Sequence, residues 1–201
     1  MHLKARPLID LGAIGRLTSV RSTFCASVDV ASRDPEKNWR FNRAQGGGSI
    51  YDLACHSIHH ARAAFGEEPQ RVFVAYMPGV EVDDAASILL VFNGGYTAQI
   101  SVGFNAWTSQ YAELVGDEGS LYIDQAWNNE NQAVSHVQDG RDERIIHDFN
   151  PAFPFALQLE HLCDCLCGRR AHRIPPSHST DQMRVLDAVK ESMQTGATVA
   201  L

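Results

Sequence analysis

At 201 residues, the chain suits one large domain or two small ones and can bury most of its apolar surface without disulfide or metal staples. Hydrophobic residues at 44% and charged residues at 20% are ordinary globular composition and exclude a disordered or fibrous chain. Seventeen basic against twenty-four acidic side chains give a net charge of −7, which argues against a nucleic-acid or anionic-membrane partner, and no apolar run approaches the roughly 20 residues of a spanning helix.

In chain order, Leu3 to Leu11 reads as the end of a helix that stops at Gly12. Arg16 to Val30 is strand-like, with Val20, Phe24, Ala26 and Val28 recurring mostly at period two. Ser32 to Gly48 lacks an apolar period and ends in three glycines, a loop. Ser49 is then placed to cap a helix running to Phe65 and closed by Gly66 and Pro69. A short strand over 71–76 follows, then 85–92 and 96–104 flanking Asn93-Gly94-Gly95, a hairpin signal. In the second arm Tyr96, Ala98, Ile100, Val102 and Phe104 form one face, while Thr97, Gln99, Ser101 and Gly103 form a small, polar other face. A second hairpin joins 112–115 to 120–123, and a third turns at Asp139-Gly140. Helices over 155–167 and from a capping residue among 177–180 to Thr195 precede a last strand over 198–201.

Strands and helices are segregated, so the expected class is α+β: an open, largely antiparallel sheet with helices on one face and the other face free for oligomerisation. No repeat or low-complexity tract divides residues 1–201, which are taken as a single domain. The N-terminus has no apolar signal core behind its positive charges. The five cysteines include Cys163, Cys165 and Cys167, whose spacing is not that of zinc or redox pairs. These features read as a cytoplasmic protein with reduced thiols.

The helix opening at Ser49 carries the densest polar group. Asp52 and His56 lie four residues apart and share a stripe that His60 continues, with His59 at its edge. A carboxylate beside an imidazole favours the imidazolium and orients the ring, which is how an acid–base pair is assembled. The glycine run ahead of the helix would let backbone approach a ligand at its N-terminus. Two other readings stand beside this one. Asp52 could simply offset the helix dipole above surface histidines. Alternatively His56 and His60 could hold zinc with Asp52 as third ligand, although Ser57 breaks the HExxH pattern. Trp39 and Arg40 could set a ring and a guanidinium against a polar ligand, or Trp39 and Phe41 could anchor the loop. Trp107 and Trp127 read as packing or interface residues. No GxSxG is present, and no GxGxxG lies between a strand and a helix.

Four phrases in order resemble the Gfo/Idh/MocA oxidoreductases: Leu8 to Leu17, Trp39-Arg40-Phe41 with the glycine run and Asp52-x-x-x-His56, the hairpin from Glu113 to Ile123, and Val185 to Gly196. The resemblance is to the family's C-terminal domain. It implies an NAD(P)-dependent sugar or polyol oxidoreductase in which an N-terminal Rossmann domain, absent from these residues, binds NAD or NADP. It further implies that His56 handles the hydroxyl proton, that Asp52 lies close to the substrate, and that Trp39 and Arg40 border the pocket. Many members have aspartate where this chain has His59, a substrate-side position. By the same resemblance the open sheet builds homodimers or tetramers, and residues 1–201 alone are expected to be inactive. A stand-alone binding or oligomerisation module without catalysis is the alternative.

Overall fold

The computed structural model describes residues 2–127, 133–138, 145–148 and 153–201. Helix α1 (His2–Asp10) leads into strand β1 (Leu17–Cys25), and a region of short turns then reaches a wide π-type turn over Ile50–Ala54 that runs into helix α2 (Cys55–Phe65). Strands β2 (Arg71–Pro78), β3 (Asp83–Val91), β4 (Thr97–Gly103), β5 (Ser109–Gly116), β6 (Gly119–Asp124), β7 (Ala133–Gln138) and β8 (Ile145–Asp148) follow. Helices α3 (Pro154–Leu166) and α4 (Pro176–Thr195) and strand β9 (Val199–Ala200) end the chain.

The nine strands form one sheet in the order β8-β7-β6-β5-β1-β4-β3-β2-β9. Only the central β1–β4 pair is parallel; the remaining neighbours are antiparallel. This is the expected α+β class. The period-two pattern sets which side is buried. Ala98, Ile100, Val102 and Phe104 face inward, with Ile88, Leu90, Ala112, Leu114, Leu121 and Ile123 from neighbouring strands. Gln99 and Ser101 stay exposed on the opposite face. Against the inner face lie Ile50, Leu53, Ala54, Ile58 and Ala61 before and within α2, and Val185, Leu186, Ala188 and Val189 from α4. At about 0.8 kcal/mol per buried methylene, these apolar rows supply most of the driving force for the layer.

Several boundaries differ from the sequence reading. Strand β1 ends at Cys25; Ala26 and Val28 still donate to the Gly103 and Phe104 carbonyls, and the chain then turns where Asp29 caps a short 3₁₀ turn over Val30–Ser32 and Val30 points to solvent. Ser49 does not cap its helix. Its backbone is already helical, and its hydroxyl donates instead to Asp83 at 2.6 Å. Helix α4 begins at Pro176 rather than after it, since proline's missing N–H costs nothing in a first turn. The Asp139-Gly140 turn lies outside the described residues, although β7 and β8 on either side pair antiparallel.

Candidate active site

The polar group on the sequence maps to the start of α2, at the edge of the helix layer. The chain reaches it through a close-packed loop. Asn38 accepts from the Arg40 N–H and so caps the Trp39–Phe41 turn. Phe41 anchors the loop, buried with its ring 5.1 Å from Phe104. Trp39 is half exposed, with the Arg40 guanidinium 4.7 Å over its ring. The loop is therefore anchored by Phe41, while Trp39 and Arg40 remain available.

The glycines have a different use from the one expected. A Cβ on Gly47 would lie 2.5 Å from the Arg40 carbonyl oxygen, and one on Gly48 would lie 2.4 Å from Asp83 Oδ1. Gly48 also has φ of +110°, a backbone region that side chains rarely adopt. The close approach is thus to the chain's own backbone and carboxylate. The helix N-terminus is likewise taken: Asp83 Oδ2 accepts from the Ile50 N–H at 2.9 Å as well as from Ser49. No phosphate cradle remains there.

Asp52 faces Arg40. The guanidinium Nε donates to Asp52 Oδ2 at 2.9 Å, with the carboxylate side chain only 17% exposed. His56 stands exposed to solvent on one side, with Phe24 (ring centroids 5.8 Å apart) and Trp127 (6.4 Å) on the other. Burial against these rings pushes the His56 pKa below its usual value, and the nearby Asp52 charge opposes this without overcoming it. The pair therefore differs from the arrangement expected of it: Asp52 is bonded to arginine, and desolvation favours the neutral imidazole. Such a histidine is an open, unprotonated base near neutral pH.

His59 packs toward α4, where its ring centroid lies 4.9 Å from that of His178. Burial, and then the charges of His178, Arg62 and His56, push its pKa down. His60 is buried, edge-on to Trp127 at 5.7 Å. Among the described residues no three His, Cys, Asp or Glu side chains come together as a metal site. Burial and the Asp52 charge raise the Cys55 pKa, so this neighbouring thiol is no thiolate nucleophile.

Sequence reasoning missed three contributors: Phe24, Trp127 and Asp83. Trp127 follows β6, stacks on Phe24 at 5.8 Å, and donates its indole N–H to the Thr23 carbonyl. It is the aromatic wall of the site. Trp107, by contrast, is exposed. The only trace of Asp83 in the sequence is the acidic pair Asp83-Asp84 opening a strand, and Asp84 is used elsewhere, on Arg33. No helix among the described residues is long and apolar enough to cross a membrane.

Comparison with known proteins gives the chain's family. The model of the GFO/IDH/MocA C-terminal domain matches residues 2–122. The D-xylose 1-dehydrogenase (NADP(+)) 2 of Haloferax volcanii is 27% identical over 191 residues, which are 94% of this chain and 57% of that enzyme. The levoglucosan dehydrogenase of Pseudarthrobacter phenanthrenivorans is 27% identical over 182 residues, 75% of this chain and 46% of that one. Among solved structures, the aldose-aldose oxidoreductase from Caulobacter crescentus, complexed with glycerol, superposes with a TM-score of 0.87 at 27% identity. That superposition covers all of this chain and 60% of the other. The chain therefore spans about half to three fifths of these relatives. The fourth sequence phrase, near the C-terminus, lies beyond the matched residues 2–122 but within the full-chain superposition. With well over half its length matched to that domain and its fold shared end to end, the chain belongs to the GFO/IDH/MocA family.

Proposed function

We propose that these residues form the substrate-side domain of an NAD(P)-dependent sugar or polyol oxidoreductase, acting beside a dinucleotide-binding domain. The observation that carries the reading is the pairing, around the start of α2, of a solvent-facing imidazole beside Phe24 and Trp127 with an arginine-held carboxylate. The family relatives that act on xylose and levoglucosan support a carbohydrate-like substrate.

Oxidising a secondary alcohol removes a hydride from carbon and a proton from oxygen. When bound, the nicotinamide supplies the hydride acceptor. His56, neutral near pH 7, takes the hydroxyl proton, and in the reverse direction its imidazolium returns it. Asp52, fixed by Arg40, accepts a hydrogen bond from a second hydroxyl and orients the sugar. Trp39 and Arg40 border the pocket on one side, and Trp127 with Phe24 excludes water on the other. His59 acts at one remove, through His178 and α4. The aromatic wall and open imidazole fit the reactive end of a nicotinamide. The phosphates have no partner here, because Asp83 and the loop carbonyls fill the glycine-lined helix start. The exposed sheet face, carrying Gln99 and Ser101, serves as the subunit contact of a dimer or tetramer.

The test is His56→Ala in the full-length polypeptide that carries this chain, assayed on a panel of aldoses and polyols with NAD and with NADP. Turnover is expected to fall by about 10² to 10⁴. Unchanged turnover would remove His56 from the mechanism.

A further inference from the structure

We infer that Asp83 is a positioning residue for the site, a buried carboxylate on β3 that sets where the wide turn and the start of α2 present Asp52 and His56. The inference rests on the functional reading above for its consequence, but its geometry stands independently.

Asp83 is the first residue of β3 and only 8% exposed. Its Oδ2 accepts from both the Ser49 hydroxyl and the Ile50 N–H, the first donors of the wide turn. A helix start ordinarily finds this acceptor on its own N-cap side chain. Here Ser49 is turned into a donor and the acceptor comes from a strand more than thirty residues later. A carboxylate at this end also meets the positive pole of the helix.

The tie reaches the site by a short path. Asp83 Oδ1 occupies the space a Gly48 side chain would need. Gly48 N–H donates to the Arg40 carbonyl at 2.8 Å, and the Gly48 carbonyl accepts from the Asp52 N–H at 3.0 Å. Arg40 and Asp52 then meet through their side chains at 2.9 Å. Both partners of that ion pair are thus hung from the one glycine that Asp83 backs. The turn itself is one residue wider than an α-turn, with the Cys55 N–H reaching back to the Ile50 carbonyl. Such turns are rare and occur mostly at functional sites, and Asp83 ties the first residues of this one to β3. His56 follows immediately, so a shift of this turn moves its ring against Phe24 and Trp127.

The experiment compares Asp83→Asn and Ser49→Ala with the parent full-length protein in two readouts. One is kcat, KM and their pH profiles. The other is the NMR titration of the His56 ring, which needs no activity. Asp83→Asn is expected to lower kcat by about 10- to 100-fold through misplacement of the reacting groups, with the KM for dinucleotide unchanged. It is also expected to move the His56 midpoint toward that of a free histidine as the ring gains water. Ser49→Ala, which deletes one of the two hydrogen bonds and leaves the carboxylate, should move both readouts the same way by a smaller factor. Should Asp83→Asn fail to fold, Ser49→Ala carries the test by itself. An unmoved His56 titration with parental kcat in a folded variant overturns the inference, as does a drop in melting temperature with neither readout changed. If His56→Ala proves fully active, the functional reading fails, while the His56 titration in Asp83→Asn still decides whether Asp83 positions the turn.

Discussion

The two ends of α2 carry similar residue types and put them to opposite uses. At its start, Asp52 and His56 each keep one side toward solvent. At its end, Arg62 is buried, with its side chain only 1% exposed. The Arg62 guanidinium donates twice to Glu68 at 2.6 Å, to Gln182 Oε1 at 2.7 Å, and to both the ring Nδ1 and the carbonyl of His178. Gln182 also donates to the carbonyl of Cys55, the first residue of α2, so α4 is tied along the helix as well as at its end. Every strong group at this end is used on the protein itself, which makes it a fastener between α2 and α4. A charged cluster earns a chemical role by what it leaves open, and only the start of the helix leaves anything open.

The largest effect expected outside the reacting groups is therefore on stability, at the closed end. Arg62→Ala removes the donor of five hydrogen bonds to Glu68, Gln182 and His178, and the packed stem. Glu68 is half exposed and can rehydrate, which limits the cost below that of a fully buried pair. Urea denaturation should show a loss of about 2 to 4 kcal/mol, with kcat of the folded fraction kept. A matching fall in kcat would mean that the two ends are not separate.

A smaller effect follows from the histidines. His56 and His59 both have folded-state pKa values below their usual one. The unfolded chain then binds protons that the folded chain refuses, so their contribution to stability is intact above the unfolded value near 6.5 and is lost as pH falls below it. Urea midpoints should fall from pH 8 to pH 5, and His59→Asn should flatten that fall without abolishing turnover. A midpoint independent of pH in this window would contradict the burial assigned to both rings.

Much of this fold was legible in the residues because it is local. Period-two alternation in Tyr96–Phe104 marked the buried face of β4, Asn93-Gly94-Gly95 marked its hairpin, and Gly66 marked the end of α2. What was hidden is non-local. Ser49 looks like a cap until a carboxylate on a distant strand outbids its own backbone. Trp127 looks like packing until the sheet carries it beside Phe24, across from His56. His59 looks like a pocket residue because it neighbours His56 in sequence, yet its ring is turned to His178. In each case the competing partner comes from another element, which spacing along the chain cannot reveal.

The smallest expected effect is the sharpest on the open end. Asp52 raises the His56 pKa, although burial outweighs it. Asp52→Asn deletes that charge and keeps the shape, so the His56 pKa should drop further. In the proposed mechanism the neutral imidazole accepts the alcohol proton, so oxidation should lose activity as pH falls through the His56 pKa. In Asp52→Asn the acidic limb of kcat/KM should consequently move to lower pH, while the Arg40 fork, left facing an amide, weakens sugar binding and raises KM. If Asp52 instead acted as the base, the acidic limb would vanish with the carboxylate and kcat would collapse. Measuring the pH profile of this one variant separates the two roles, because a positioning carboxylate shifts the limb and a catalytic one removes it.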